Sequence, residues 1–446
     1  MSKRFALISV LFLLIVSTVS ISAAGTADEN VPDGSFWSPP ETAGDFSLLD
    51  FERGADGIIH MIGRKTSCCP YEIYYTQRDL AGNWSSPVPI DDDVELSRFG
   101  EGDLVVSNDG TVHAIWVDKE GSADHKAKYA KRTPNGSWSA PITISGANQD
   151  AAHVTLLIND SNELYASWFS YGIAGLYSRH QVGGVWGNIE RVDDNQAATG
   201  SVMLMDSQQN VHYFWYYESV PHPENAGVFY RKQSADDSWG SVIPVSDAPD
   251  APGIATLLFA TVDSQNGQDL YVTWGFEEGS DQNIYFAEFT NGTWKDQVKL
   301  NTTNSSFYPV FLGGSSNNVY IISGDNSTQT HTFYFRPSGG SWTSEPMGFL
   351  GTTPRAFGLV SRENTFHLVW RTTDNQSHYR SRQNLEPWSA IEAISGNIVD
   401  GQRIIKQRGI NLDMAWQAGS GSIKYSHGLS LFTDLPPQQY IPGMFK

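Results

Sequence analysis

A tryptophan at a turn returns along the whole chain, at Trp37, Trp84, Trp138, Trp186, Trp239, Trp294, Trp342 and Trp388. The intervals are 47, 54, 48, 53, 55, 48 and 46 residues. That period is the length of one supersecondary unit stacked on copies of itself, as in a propeller or array. Seven of these tryptophans sit where one short strand turns into the next, in AGNWSSPVPI, PNGSWSAPITI, GGVWGNIERV, DDSWGSVIPV, NGTWKDQVKL, GGSWTSEPMGF and LEPWSAIEAI. The eighth, in SFWSPPETA, stands alone near the N-terminus.

Each period carries a second element, an apolar alternation that ends in an aromatic: DGIIHMIG, DGTVHAIW, NELYASW, QNVHYFW, QDLYVTW, NNVYIIS, NTFHLVW and GINLDMAW. A third element, usually apolar-Tyr, follows as IYY, KYAKR, LYSRH, VFYRK, IYFAE, FYFRP, HYRSR and IKYSH. With a leading strand such as DLVVS, VTLLI, VMLMD or FGLVS, each unit is four short strands of period two. No amphipathic helix is predicted after residue 30. Four-stranded units repeated around a ring describe an all-β fold, the β-propeller, in which blades bury one another's faces.

The order of elements predicts how the ring closes. The last unit has inner strands (RIIKQ, NLDMAW, IKYSH) but no final Trp strand, whereas the segment around Trp37 has a Trp strand and no unit before it. The N-terminal strand therefore completes the last blade, which gives eight blades. Seven is the alternative, because NNVYIIS lacks the second aromatic.

Turn chemistry separates two faces. DG at 109–110, ND at 159–160 and NG at 135–136 and 291–292 are tight-hairpin pairs, alike from unit to unit. The other connections differ in length and content, including VDKEGSADHKAK after Trp116, YYESVPHPENAG after Trp215, GFEEGSDQN after Trp274 and the link DDDVELSRFGEG. Variable loops on a rigid scaffold are where function concentrates, so the ligand site is expected at that face and in the central funnel.

Residues 1–24 read as a secretory signal peptide, with Lys3 and Arg4, an apolar run from Phe5, and the small residues Ser22, Ala23 and Ala24 at its end. This predicts a secreted chain, extracellular or periplasmic, with a propeller domain over 25–430, an extended Pro-rich tail over 431–446 and no membrane insertion after signal removal. The net charge of −20 argues against nucleic acid as a partner, which would need a basic stripe. Cys68 and Cys69 are the only cysteines, so there is no disulfide framework, and a vicinal pair and a free pair are both open. Asn-x-Ser/Thr sequons occur at Asn83, Asn135, Asn159, Asn291, Asn301, Asn304, Asn326 and Asn375. DDDVE at 91–95 offers oxygen ligands to Ca²⁺ but has no calcium-loop spacing; no cofactor is expected, and no metal is assigned.

The pattern D/N-G-x-h-H-x-x-W, then apolar-Tyr, then G-x-W-S-x-P, resembles the blades of the sialidase-like (BNR-repeat) propeller superfamily over nearly all of residues 35–430. The resemblance is one of fold, since such propellers host hydrolases, lyases and lectins. No unit holds the complete Asp box Ser-x-Asp-x-Gly-x-x-Trp, although SADDSW at 234–239 and SNDGTVHAIW at 107–116 approximate it. No Phe-Arg-Ile-Pro segment is present.

A sialidase-like site would require arginines on a sugar carboxylate, a Tyr nucleophile beside a Glu, and an Asp acid. Arg98, Arg355 and Arg403 come where the chain enters the innermost strand of a unit, and Arg64 and Arg371 follow the second strand of theirs. Guanidinium groups there suit a carboxylate or sulfate, while pairing with acidic neighbours across blades is the competing reading. Tyr217 and Glu218 lie in the long loop after Trp215, and Glu277 occupies the equivalent loop one unit on; a solvated loop is the other reading of both. His153 leads into the third unit and is a candidate general base; with an arginine it matches the residue set the resemblance implies for propeller lyases. His60, His113, His212 and His367 share one repeat position with Tyr165, Tyr271 and Tyr320, which suits a half-buried structural role better than metal ligation. Phe99, Tyr171, Tyr217, Phe276 and Phe307 fall off the repeat frame and are candidates for stacking on a sugar. The expected function is binding of a carbohydrate or glycoconjugate, an anionic glycan above all. A sialidase-like hydrolase or polysaccharide lyase is the enzyme alternative, and a protein-interaction scaffold the third.

Overall fold

Period-two alternation interrupted by turn residues dictates short antiparallel strands that pair with their chain neighbours. The computed structural model describes residues 37–65, 71–94, 101–120, 124–194, 198, 200–217, 227–246, 253–278, 281–301, 307–325, 328, 330–348, 355–360, 364–371, 377–383, 386–394, 398–408, 411–418 and 421–429. The signal-like segment, Cys68, Cys69, Phe99 and the tail lie outside these residues.

Eight antiparallel sheets form, with no α-helix among the described residues. Blade 1 is Ser47–Arg53, Ile59–Lys65, Tyr71–Arg78 and Val88–Val94; blade 2 is Gly102–Val106, Val112–Glu120, Asp124–Arg132 and Ile142–Thr143. Blade 3 is Ala151–Ile158, Leu164–Ser170, Gly175–Val182 and Val185–Arg191; blade 4 is Gly200–Met205, Val211–Tyr217, Gly227–Gln233 and Ile243–Pro244. Blade 5 is Gly253–Val262, Leu270–Glu278 and Asp281–Thr290, with an outer strand in two pieces, Thr293–Trp294 and Val298–Lys299. Blade 6 is Phe307–Ser315, Asn318–Asp325, Thr330–Arg336 and Thr343–Pro346; blade 7 is Arg355–Val360, Thr365–Arg371, Ser377–Gln383 and Glu392–Ile394. Blade 8 is Ile398–Arg408, Asn411–Ala418 and Ile423–Leu429, completed by Glu41–Gly44. First strands of neighbouring blades touch all the way round, blade 8 against blade 1 included, so they form the inner wall of a closed ring.

The N-terminal strand closes the ring as expected. Glu41 pairs with Tyr425, Trp37 bridges to Gly428, and the Ser38 amide donates to the His427 carbonyl at 2.8 Å. The sixth unit is a complete blade, so the count is eight.

Eight apolar clusters hold the blades together, one at each seam. The second-strand tryptophans Trp116, Trp168, Trp215, Trp274, Trp370 and Trp416 are fully buried in them, each such burial contributing roughly 1.5–3 kcal/mol. The periodic outer-strand tryptophans do something different: each packs edge-on against a third-strand aromatic of the preceding blade. The pairs are Trp84–Tyr425, Trp138–Tyr75, Trp186–Tyr129, Trp294–Tyr230, Trp342–Phe286, Trp388–Phe333 and Trp37–Tyr379, with centroids 5.0 to 5.5 Å apart. The seam between blades 3 and 4 breaks the rule. Register puts Ser178 where the others have an aromatic, and Trp239 lies tilted at 36° on Tyr213 of its own blade instead.

The same third-strand position explains the alternation of His with Tyr. Where the aromatic there has a hydroxyl, the second strand supplies His: His60–Tyr75, His113–Tyr129, His212–Tyr230 and His367–Tyr379 are joined at 2.7, 2.7, 2.8 and 2.8 Å. Where that position holds Ser178, Phe286 or Phe333, the second strand carries Tyr165, Tyr271 or Tyr320. Blade 8 uses Asp413, which accepts from Tyr425 at 2.5 Å and pairs with Arg53 of blade 1 at 2.6 Å. The histidines are structural, as their repetition implied.

Seam arginines also meet acids across blades, as in Arg78–Glu41, Arg336–Glu288 and Arg382–Glu345. Along the inner wall, Asp50 accepts from the Leu104 amide at 3.2 Å and Asp103 from the Leu156 amide at 2.8 Å, while Lys406 reaches Asp50 and Glu52, each at 3.0 Å. Burial, with Asp50 beside it, pushes Asp103 well above the usual carboxylate range. Such acids satisfy inner-strand N–H groups that have no further strand to pair with.

The connections from first to second strand and from third to fourth lie together on one face. In the first of these, over blades 1 to 4, the left-handed residue is Gly57, Gly110, Asn162 and Gln209 in turn. The Asn159-Asp160 pair is thus not the positive-φ pair expected; the Asn159 side chain instead accepts from the amides of Ser161 and Glu163 at 3.0 and 2.8 Å. Asn301 is engaged similarly, with Ile284 and Asn283, so both of these sequons have buried, occupied amides.

Candidate functional site

The opposite face, where the chain enters each inner strand, shows no repeated chemistry among the described residues. Its best-defined feature lies where blades 2 and 3 meet. The inner strand of blade 3 shifts register between Ala152 and Thr155, and His153 sits in that bulge at φ 52. Positive φ is uncommon for a residue with a side chain, and strain of this kind gathers at functional positions. The Glu101 carboxylate holds His153 twice, one oxygen 2.9 Å from Nδ1 and the other accepting from the His153 amide. A carboxylate only accepts, so in the neutral ring Nδ1 carries the proton and Nε2 the lone pair.

Beside this pair stands a second one. Asp150 Oδ1 accepts from both the amide and Nδ1 of His125, at 2.8 and 2.7 Å. The loop that carries Asp150 is fixed from below by Lys126, whose Nζ donates to the carbonyls of Ala147 and Gln149 at 2.7 and 2.9 Å. Gln149 in turn accepts from the Trp168 indole at 2.9 Å. Tyr171 stands above, 43% exposed, with its ring edge-on to Phe169 at 4.6 Å. Two carboxylate–imidazole pairs and an exposed tyrosine thus line one sector of the mouth.

The other expected residues fall on different sectors. Arg355 opens the inner strand of blade 7 and lies directly opposite Arg371, and Arg64 occupies in blade 1 the register position that Arg371 has in blade 7. Arg403 is in the inner strand of blade 8, opposite Trp416, one register step deeper than Arg355. Four arginines therefore have backbone positions on three consecutive blades, 7, 8 and 1. Arg98 and Glu218 lie outside the described residues, and Tyr217, Arg355, Arg371 and Arg403 are described by backbone alone. Tyr217 ends the second strand of blade 4, paired with Gly227, and Glu277 is exposed on blade 5 opposite Ile254. Tyr217, Glu277 and His153 stand on blades 4, 5 and 3.

Among the stacking candidates Tyr171 is exposed, but Phe276 is buried in the seam between blades 4 and 5, edge-on to Tyr285, and is a core residue. Asp91 to Val94 form part of the outer strand of blade 1, and no group of three or more metal-ligating side chains occurs among the described residues. Sequence reading missed Glu101, His125 and Asp150. Their only signal was position: Glu101 and Asp150 lie in links on the variable face and His125 at the start of the strand Asp124–Arg132.

No family model and no curated protein matches the chain. Solved structures do resemble it. An ulvan lyase of polysaccharide lyase family 25, bound to -[GlcA(1-4)Rha3S]-, superposes with a TM-score of 0.48 at 9% identity, over 81% of this chain and 96% of the lyase. A lectin from Burkholderia pseudomallei gives 0.47 at 14% identity, over 80% of this chain and all (100%) of the lectin. A puromycin hydrolase gives 0.49 at 11% identity, over 84% of this chain and 59% of that one. The eight-bladed ring stands on its own sheet topology.

Proposed function

We propose that the protein is an exported carbohydrate-binding propeller that holds an acidic glycan across the variable mouth. The observation that carries this reading is the Glu101–His153 pair, a strained, doubly anchored imidazole at the channel mouth. Folding alone does not require that arrangement, because no other blade repeats it among the described residues. The strand positions of Arg64, Arg355, Arg371 and Arg403 on consecutive blades support an anionic ligand, since guanidinium groups bind carboxylate and sulfate through paired donors.

Glycan-array screening followed by calorimetry on His153→Gln, Glu101→Gln, Arg64→Ala and Arg355→Ala tests the proposal. Each substitution is expected to weaken binding at least tenfold while the thermal midpoint moves by only a few degrees. Unchanged affinity in all four variants, or a chain that binds no glycan, would sink it.

The fixed tautomer of His153 favours one enzymatic reading beside simple binding. With Nε2 carrying the lone pair, the ring is set up to take the C–H proton next to a uronate carboxylate; the electron pair left behind forms a C=C bond as the C–O bond to the neighbouring sugar breaks, and the departing oxygen takes a proton from solvent. Incubation with the bound glycan, monitored by ultraviolet absorbance of the unsaturated uronate, separates the two. A flat trace leaves the protein a binder.

A further inference from the structure

The seam between blades 3 and 4 carries a groove of about 650 Å³ beside Trp239, within the size range of small-ligand sites. The packing at this seam is the exceptional one already described. Ser178 is too small to meet Trp239, and Tyr213 turns in from blade 4 to bond the Ser178 hydroxyl at 2.7 Å. Trp239, tilted onto Tyr213, lines the groove together with Arg231 and Pro244.

Two arginine positions are also exchanged at this seam. In blades 1, 2, 6 and 7 the last turn of the third strand carries Arg78, Arg132, Arg336 and Arg382, but blades 3 and 4 have Gln181 and Gln233 there. Blade 4 places its arginine two residues earlier. Arg231 lies over Trp239 at 4.8 Å, and donates through Nε to the Gly240 carbonyl at 2.9 Å and through Nη1 to those of Arg191 and Val192 at 3.3 and 3.1 Å. Three main-chain acceptors fix the guanidinium, and its Nη2 makes no hydrogen bond among the described residues.

The remaining walls complete a sugar-like complement. Phe229, Val242 and Pro244 supply an apolar floor. Asp194, exposed and held at φ 46, stands on the lip contributed by blade 3. A pyranose needs an apolar surface for its C–H face, a donor for its ring or hydroxyl oxygens and an acceptor for its hydroxyl hydrogens. Pro244 and Phe229, Arg231 and Asp194 offer these in turn. The Asp194 carboxylate opposes a second negative charge, which selects a neutral sugar.

We propose that the rim groove between blades 3 and 4 is a second carbohydrate site, separate from the mouth, that takes a single neutral pyranose residue. It stands independently of the function assigned to the mouth. Two separate sites would let one chain hold a polysaccharide at two points, and linked sites raise avidity without new contacts.

Saturation-transfer NMR with methyl glucoside, galactoside, mannoside, fucoside and xyloside, and with methyl glucuronide as the anionic comparison, tests this on the whole chain. At least one neutral pyranoside is expected to bind, at least tenfold more weakly to Asp194→Ala and Arg231→Lys than to the wild type, and unchanged by His153→Gln at the mouth. Arg179→Lys controls for loosened blades, because Arg179 makes the same clasp one blade earlier, to the Gly187 and Ile144 carbonyls at 2.7 and 3.1 Å; binding should survive it. Binding that ignores Asp194 and Arg231, binding lost equally in Arg179→Lys, preference for the glucuronide, or no binding by any of the five neutral pyranosides overturns the proposal. Loss of mouth binding in His153→Gln with rim binding intact would leave it standing.

Discussion

Seven seams of this ring end in the same contact at the rim, and one does not. At the seven, an outer tryptophan meets a third-strand aromatic edge-on at 5.0 to 5.5 Å. At the seam between blades 3 and 4 the aromatic is Ser178, and a tyrosine from the other side half-fills the space. The difference separates two uses of one scaffold. Where the repeat is kept, side chains are spent on one another and the contact is worth stability, about 0.5–1.5 kcal/mol per aromatic pair beyond the buried area. Where it is broken, donors, acceptors and apolar surface face solvent, and a ligand can use them.

The largest expected effect tests the cost of a kept seam against the broken one. Tyr75→Ala removes the ring that meets Trp138 together with hydroxyl bonds to His60 and Gln77 at 2.7 and 2.8 Å. Truncating a buried aromatic of this kind is expected to cost about 3–5 kcal/mol. Ser178→Ala removes one hydroxyl contact with Tyr213 and is expected to cost about 1 kcal/mol. Denaturant titration of the two variants should show a gap of at least ~2 kcal/mol; equal losses would mean that the rim contacts are incidental.

The next effect is a slope rather than an intercept. Burial pushes His60 and His113 from 6.5 down to about 4 and His367 to about 3. The folded state therefore binds fewer protons than the unfolded chain below pH 6.5. Stability from these groups is fully present above that value and is lost as pH falls towards 4. Each contributes up to ~1.4 kcal/mol per pH unit in that window. Asp103 and Glu52, raised chiefly by burial, act in the opposite sense as they protonate. Blades 3, 5 and 6 carry no such histidine, so the pair can be exchanged: His113→Tyr with Tyr129→Phe gives blade 2 the arrangement of blade 6, Tyr320 with Phe333. The acid slope of stability between pH 6.5 and 4 should flatten by about one proton, because Asp103 and Glu52 are common to both proteins. An unaltered slope would remove His113 as a source of acid sensitivity.

Much of this was readable in the sequence. The Trp period gave the blade, and the stranded Trp37 gave the closure, because both depend on a residue whose contact is repeated. The His/Tyr exchange was rightly taken as structural, but its reason was hidden by register. In the third-strand motif the tyrosine is not always the same residue: Tyr177 and Tyr285 fall one position before the rim contact and Tyr334 one after, so Ser178, Phe286 and Phe333 occupy it. A one-residue slip in a strand moves a side chain to the other face, and apolar-Tyr patterns do not reveal such slips. The mouth was harder still. Glu101 and His153 are 52 positions apart, and Asp150 and His125 are 25 apart, on separate strands or links. Only the ring brings them together, and no period marks residues used once.

The smallest expected effect is the most informative about the broken seam. If Tyr213 fills the place of the missing aromatic, then Ser178→Tyr together with Tyr213→Ala should rebuild the contact of the other seams, since blades 2 and 3 have Ala114 and Ala166 at the register position of Tyr213. Each single change should be damaging. Tyr213→Ala opens a cavity beside Trp239, at about 3–5 kcal/mol, and Ser178→Tyr forces two rings into one space, at about 1–3 kcal/mol. The double variant should lie within ~1 kcal/mol of the wild type, which requires an interaction energy of about 3 kcal/mol or more, at or above the top of the usual range for neighbouring residues. It should also turn Trp239 edge-on and close the rim groove, so that pyranoside binding disappears while folding is kept. Additive losses would instead show that Tyr213 and Ser178 are not alternatives for one site, and that the open seam has another cause.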